Sequence, residues 1–421
     1  MGAKESNVEQ GSPKHLVVRL DRAVGTTTLL FIIVVYLLLA YATYSLFTSR
    51  IPSGNDFYPR WVGTRAFIME GKNPYSDEVT MEIQRGIYGR LAREDEDQVA
   101  FAYPLYACLL VLPFALLPYP LAQAFWASAL ILTALGALFV ALRTLDWQPS
   151  PTGLAGLALF AVLFYPTARA ILLGQISIVV LALVVLALWT VKSGHQILAG
   201  CLLALSTVKP QMVFLIVPFL LLWAAKRREY KAIAAFFAAM ALLLAISWIA
   251  LPGWIRAFVE GLIAYRSYTS IYRGGASAIG YLVGAILPSS LSTPVTLALS
   301  LGMSACLAYT WFAVATGRWH ASLAFSLTIV ATLLLPGDTG TTNQVLLLLP
   351  LFSWLPGHSK QRWLAGLIFA ALLLGPWVGF FCTVQGDLEH PAMVLPLPIA
   401  ALLMLPWKTK AGADTESTRV F

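Results

Sequence analysis

Carboxylates are scarce in this chain, and their placement is the first clue to its chemistry. Of twenty Asp and Glu residues in 421, nine fall between Arg50 and Ala100, and only Asp146, Glu229, Glu260, Asp338, Asp387 and Glu389 lie between there and the C-terminal tail. Asp56 stands apart, in Gly54-Asn55-Asp56-Phe57-Tyr58, nine residues after a long apolar run and just before a candidate amphipathic helix at 59–70. In that helix Trp61, Ala66, Phe67 and Met69 are expected toward a bilayer surface, and Arg60, Arg65 and Glu70 toward water. A carboxylate at such a boundary is partly desolvated, which lifts its pKa toward the range useful for a general base. The plainer alternative is an aspartate that caps a helix or makes a turn. The acidic run at 94–97 reads as a solvated loop face.

The candidate cations lie farther along. Lys209 follows a short apolar segment and directly precedes Pro210, a pattern that suits a broken helix meeting an anionic head group; a lysine snorkelling from a helix end is the competing reading. Arg256, Arg266 and Arg273 are interleaved with Trp254, Tyr265, Tyr268 and Tyr272. Guanidinium forks suit a phosphate with a sugar or lipid attached and flat rings suit sugar faces, although the same residues also make an ordinary interfacial belt. Arg169 and Gly174-Gln175 mark another connection, which either lines the same cavity or only ends a helix. The histidines, His15, His195, His320, His358 and His390, have no metal-ligand spacing, and only His390, beside Glu389, is placed to act with the acids. Cys108, Cys201, Cys306 and Cys382 lie in or beside apolar segments and suggest neither disulfides nor a metal framework.

Elements able to position these groups must be membrane helices. The chain is 59% hydrophobic and only 11% charged, with a mean hydropathy of +0.76, against about 25% charged for a soluble domain. Soluble enzymes, nucleic-acid-binding proteins and disulfide-rich secreted proteins are excluded. The net charge of +8 reads as orientation, because Lys and Arg gather in cytoplasmic loops. The expected architecture is all-α and polytopic, a bundle of about twelve crossings (range about ten to thirteen) with interfacial helices in the first outer loop. The crossings are expected near 27–47, 120–142, 153–171, 176–192, 196–208, 210–225, 232–251, 293–315, 320–336, 343–357, 363–381 and 393–407. A head at 1–24 and a tail at 408–421 are cytoplasmic in this threading, and 25–407 is one membrane domain. Arg143, Lys192, the 226–231 cluster, Arg318, Lys360 and Arg362 then share the cytoplasmic side. The loops 48–119 and 252–292, with the turns at 337–343 and 383–391, share the outer side. The apolar stretch 105–117, bracketed by Pro104, Pro113 and Pro118, reads as re-entrant or interfacial; a crossing there would change the parity downstream. No P-loop, dinucleotide turn or internal repeat is present.

Several short motifs carry a family resemblance. Gly54-Asn55-Asp56-Phe57-Tyr58, Gly71-Lys72-Asn73-Pro74-Tyr75, Phe101-Ala102-Tyr103-Pro104, Gly174-Gln175 before an apolar run, and Gly200 through Lys209-Pro210 stand in an order and spacing that resemble glycosyltransferase family 87 over roughly residues 25–225. That family belongs to the C-type (GT-C) membrane glycosyltransferases and includes polyprenol-phosphate-mannose-dependent mannosyltransferases. The resemblance implies a GT-C-like bundle in the cell membrane, an active site facing away from the cytoplasm, a polyprenyl-phosphate sugar as donor, a lipid or glycan acceptor, and an aspartate in the first outer loop, here Asp56. Asn55, Tyr58, Tyr103, Gln175, Tyr265, Tyr268 and Asn343 are the candidate substrate-lining residues, with Lys209, Arg256, Arg266 and Arg273 on the donor phosphate. The stretch from Pro336 to Gln344 corresponds to an acceptor-side turn but lacks the His or Tyr expected there.

The implied reaction is a direct displacement in which Asp56 takes the acceptor proton and a cation holds the departing phosphate, with inversion at the anomeric carbon. A bilayer-anchored phosphate monoester needs no metal to leave, so neither metal nor other cofactor is expected, and the partners are the donor, the acceptor and membrane lipids, without nucleic acid. The rivals are a lipid-linked glycan flippase or transporter and an O-antigen-ligase-like glycan ligase. Coupled transporters place charges at mid-membrane, whereas charges here collect in the outer loops.

Overall fold

A computed structural model describes residues 13–51, 56–94, 96–268, 277–336, 340–356, 362–383 and 390–403, the side chains at 13–25, 265–268, 362, 391 and 392 excepted. Helices are the only regular elements among these residues. In chain order they are α1 (Pro13–Thr43), α2 (Tyr58–Glu70), α3 (Asp77–Tyr88), α4 (Cys108–Ala115), α5 (Tyr119–Thr144), α6 (Pro151–Leu163), α7 (Tyr165–Leu173), α8 (Ser177–Lys192) and α9 (Gln196–Ser206). The second half has α10 (Ile216–Lys226), α11 (Tyr230–Ala250), α12 (Trp254–Tyr268), α13 (Ala278–Ile286), α14 (Ser289–Ala315), α15 (Ala321–Leu334), α16 (Leu348–Trp354), α17 (Arg362–Thr383) and α18 (Pro396–Leu403).

Five stretches are long and apolar enough to cross a membrane: Thr26–Thr48, Tyr119–Thr144, Tyr230–Ala250, Ser289–Ala315 and Trp363–Thr383. A sixth is the pair α6 and α7, bent by 53°. Pro166 explains the bend, since proline cannot donate to the carbonyl one turn back; the Leu163 carbonyl at the break accepts from the Trp377 indole at 2.8 Å. Of the twelve expected crossings, those at 176–192, 196–208, 210–225 and 320–336 are the shorter apolar helices α8, α9, α10 and α15. Those at 343–357 and 393–407 open with 3-10 turns, Thr341–Leu347 and Pro391–Val394, and continue only as α16 and α18. Pro391 and Pro396 open the second turn and α18, and Pro350 and Pro398 lie in the first turns of α16 and α18, the positions where a helix tolerates proline. The 105–117 stretch forms a 3-10 turn and α4, which carries Pro113 and spans 8 residues, too few to cross.

The apolar core runs through α5, α8, α9, α10, α15 and the segment around 341–351. α8 is buried along nearly all its length, and α9 lies so close to α11 that a Cβ on Gly200 would stand 2.3 Å from the Ala232 carbonyl oxygen. The basic helix ends are gathered at one end of this core. Lys192 donates to the Thr144 carbonyl at 2.8 Å and pairs with Asp146, and Lys226 caps the Val314 carbonyl of α14. Two partly open apolar pockets lie near these ends, one between α5, α8, α15 and α16, the other between α8, α9, α10 and α11. Ser177, at the other end of α8, is about 22 Å away by helical rise.

The first loop departs from the expected amphipathic helix. α2 is not a surface ribbon: Arg60 is 1% exposed, Val62, Thr64 and Ala66 are buried, and Met69 is exposed. Arg65 does not point freely to water either, since it donates to the Ala115 carbonyl at 3.1 Å. Packing against α3, α4, Tyr119 of α5 and Phe101 buries this face of the helix, while Ile68 and Met69 stay exposed.

Candidate functional site

The site assembles where four chain breaks meet: the turn before α2, the segment around Tyr103, the α7–α8 junction and the α9–α10 break. α2 begins behind Phe57, which caps the helix with no side-chain bond. Asp56, half-buried one residue earlier, therefore does not act as a helix cap. The turn is held from below, because the Phe57 ring stacks on Trp126 at 5.1 Å and its amide donates to the Leu173 carbonyl at 3.2 Å.

Gly174 ends α7 in the left-handed region, φ +69°, and a Cβ there would lie 2.6 Å from Phe57 Cβ. Only glycine satisfies both the backbone and the space. Its carbonyl accepts from the Trp126 indole at 2.8 Å and from Arg60 at 2.7 Å. The Arg60 guanidinium lies over the Tyr103 ring, 4.7 Å from the centroid, and donates to the Tyr103 hydroxyl, while its Nε is buried without a partner.

The Gly71-Lys72-Asn73-Pro74-Tyr75 motif acts as scaffold. Gly71 closes α2 in the left-handed region, the Asn73 side chain accepts from the Tyr75 amide at 3.0 Å, and the Tyr75 hydroxyl donates to the Tyr103 carbonyl at 2.6 Å. Tyr103 is thus fixed from both ends. Burial raises the pKa of its hydroxyl, against the opposing pull of Arg60.

Lys209 lies in the break between α9 and the 3-10 turn Pro210–Met212. It is 4% exposed, which rules out a snorkelling lysine at a helix end. Its ammonium donates to Gln175 Oε1 at 2.7 Å and Ser177 Oγ at 2.9 Å. Gln175 Oε1 also faces the Tyr103 hydroxyl at 3.4 Å, and Ser177 Oγ reaches Asn343 Oδ1 at 3.2 Å. Desolvation, with the nearby Arg60 charge, brings the Lys209 pKa down to about 7, and Asp56 opposes that shift. The charge of Asp56 also reaches Tyr103 and Tyr119. Among the described residues no hydrogen bond or ion pair ties the Asp56 carboxylate.

Among the described residues the cluster therefore brings together two buried cations, Arg60 and Lys209, and the half-buried carboxylate of Asp56. Buried unpaired charge is costly, so an anion entering beside Arg60 and Lys209 would be favoured. An acceptor hydroxyl against Asp56 would meet a base. Neither apolar pocket touches this cluster, and among the described residues no group of three metal-ligating side chains forms.

Of the residues singled out by sequence, Asp56, Tyr103, Gln175, Lys209 and Asn343 are brought together. Tyr58 is turned toward α3, its hydroxyl packed where a Cβ on Gly86 would sit, and its ring meets Tyr119. Arg256 is on an exposed face of α12 and pairs with Glu260 at 2.7 Å, so the structure does not bring it to the cluster. The side chains of Tyr265, Arg266 and Tyr268, and all of Asn55 and Arg273, lie outside the described residues. Asn343 is reached by a route the sequence did not show, since Thr341–Leu347 is wholly buried and not an open outer turn. Arg60 and Ser177 were missed as site residues. For Arg60 one signal existed, the i, i+4 spacing from Asp56; for Ser177, only proximity to Gly174-Gln175.

With this geometry in place, a comparison with family models matches residues 101–336 to Glycosyltransferase family 87. The matched range starts after the Asp56 turn and extends past residue 225, where the sequence resemblance thinned. No curated protein and no solved structure matches the chain.

Proposed function

The chain belongs to glycosyltransferase family 87, the match covering more than half its length, and we propose that it moves a hexose from a polyprenyl-phosphate donor to a lipid or glycan acceptor, with Asp56 as base. Membership makes it a membrane glycosyltransferase, in place of a flippase or transporter. Mannose is the sugar the family resemblance suggests. The observation carrying the reading is the half-buried Asp56 carboxylate beside buried Arg60 and Lys209. Asp56 precedes the matched range, so its assignment rests on this proximity to Tyr103, Gln175 and Lys209, which lie within it.

In the proposed step an acceptor hydroxyl gives its proton to Asp56 as its oxygen bonds to the anomeric carbon. The bond from that carbon to the phosphate oxygen breaks, and the phosphate leaves with the electron pair and stays on its lipid. Lys209 and Arg60 hold the negative charge that develops on the phosphate. Attack opposite the leaving group inverts the anomeric centre. A lipid phosphate monoester departs without a metal, so the proposed enzyme uses none and needs no other cofactor. Arg256, Arg266 and Arg273 would draw the lipid phosphate toward the site from α12 and the following loop, with Tyr265 and Tyr268 beside the sugar. The site faces the outer side and the termini the cytoplasm in a GT-C-like bundle, whose remaining crossings, for about ten to thirteen in all, come from the shorter apolar helices.

The test is transfer of labelled mannose from polyprenyl-phosphate mannose to membrane acceptors, with Asp56→Asn at matched expression. Transfer should fall by about 100- to 10,000-fold. Full activity of Asp56→Asn would remove the base assignment, and absence of transfer by the wild type from several polyprenyl-phosphate sugars would remove the donor class, favouring a ligase of preassembled glycans.

A further inference from the structure

α12 follows the membrane-crossing helix α11 through a short turn in which Gly253 takes φ +81°. At 15 residues with Arg256 and Glu260 inside, it is not a crossing helix. Its side chains divide into three arcs at helical spacing. Trp254 and Phe258 face the protein: Trp254 is 3% exposed against Tyr106, and Phe258 lies against Tyr75 at 6.4 Å between ring centroids. Next to them Ile255, Val259, Leu262 and Ile263 form an exposed apolar stripe. Arg256 and Glu260 stand beyond it, paired with each other and exposed to solvent.

Such a stripe needs an occupant. The exposed apolar flank of α11, Leu242, Ile246 and Ile249, leads directly into α12. A helix with a charged edge, leaving the end of a crossing helix, matches an interfacial helix seated at the level of the head groups. The inward contacts of α12 give that seating a consequence. Tyr106, under Trp254, donates to the Thr207 carbonyl at 3.1 Å, two residues before Lys209. Tyr75, under Phe258, holds the Tyr103 carbonyl. One helix thus braces both chain breaks that supply Tyr103 and Lys209.

We infer that α12 is a lipid-seated strut: its Ile255, Val259, Leu262 and Ile263 stripe lies in the bilayer surface, and that seating holds the Tyr103 and Lys209 breaks in register for transfer. The effect on transfer rests on the function proposed above; the seating does not.

The test uses the full chain in lipid nanodiscs, with Cys201, Cys306 and Cys382 replaced by serine and a nitroxide placed at position 259, 263, 256 or 260 in turn. Labels at 259 and 263 should be several-fold more accessible to dissolved oxygen than to a water-soluble nickel complex, and those at 256 and 260 the reverse. Water-exposed labels at 259 and 263, or labels immobilised by a second copy or another protein, would overturn the inference. In parallel, Val259→Asp with Ile263→Asp should lower transfer several-fold while melting temperature and chain yield hold, and Val259→Leu with Ile263→Leu should restore it. Lipid-seated labels with unchanged transfer in the aspartate pair would overturn the strut. Lipid-seated labels on a wild-type chain that transfers no polyprenyl-phosphate sugar would sink the proposed donor and leave the seating standing.

Discussion

Lys209 and Arg60 concentrate the energetic tension of the molecule at single residues. Both are buried, and among the described residues Asp56 is the carboxylate whose charge opposes theirs. Removing a buried cation relieves its desolvation cost, so function and stability should part company here. Lys209→Met should retain or raise the melting temperature while sugar transfer falls at least about 100-fold through loss of phosphate stabilisation; a variant that transfers normally would take Lys209 out of the site. The pH dependence has a definite sign. Unfolded lysine keeps its proton to about pH 10, but folded Lys209 releases it near pH 7. Between those values the unfolded chain binds more protons, so raising the pH favours the folded state. Thermal stability of the wild type should therefore rise from pH 7 toward pH 9, and that rise should shrink in Lys209→Met.

At the level of elements, the junctions between helices do more for the site than the helices themselves. Gly174 turns the chain from α7 into Gln175 and offers its carbonyl to Arg60 and Trp126, while Phe57 closes over it. Gly174→Ala forces both a strained φ and a clash, at a cost of about 1–3 kcal/mol. The expected result is a lower melting temperature together with reduced transfer, because the displaced Phe57 carries Asp56 with it. Unchanged stability would show that the turn relaxes freely. The motif from Gly71 to Tyr75 works in the same way at a distance, since it sets Tyr75, which fixes Tyr103.

Across the whole molecule, chemistry and basic charge are separated along α8. Ser177 opens that helix at the site, and Lys192 closes it among the basic helix ends that Lys226 also joins. Basic ends mark the cytoplasmic side, so the proposed catalytic cluster should face outward. Cysteines introduced in turn at Glu94 and Arg228, in a background with Cys201, Cys306 and Cys382 replaced by serine, should react with a membrane-impermeant maleimide from opposite sides of sealed cells. Labelling of both from one side would overturn the orientation.

The sequence by itself determined the membrane class and the all-helical build, because hydropathy is a local property of the chain, and its motifs, with the family resemblance they carry, singled out Asp56, Tyr103, Gln175, Lys209 and Asn343 as candidates. It did not determine helix lengths: short helices sheltered by their neighbours escape the length that a lone crossing needs. Nor could it show that Arg60 turns inward, since a helical face is polar or apolar only relative to its partner, and α2 packs on protein where a bilayer was expected. Only the tertiary structure decided that four distant breaks converge, because hydrogen bonds such as Lys209 to Gln175 and Ser177 to Asn343 join residues whose nearness depends on how the whole bundle packs.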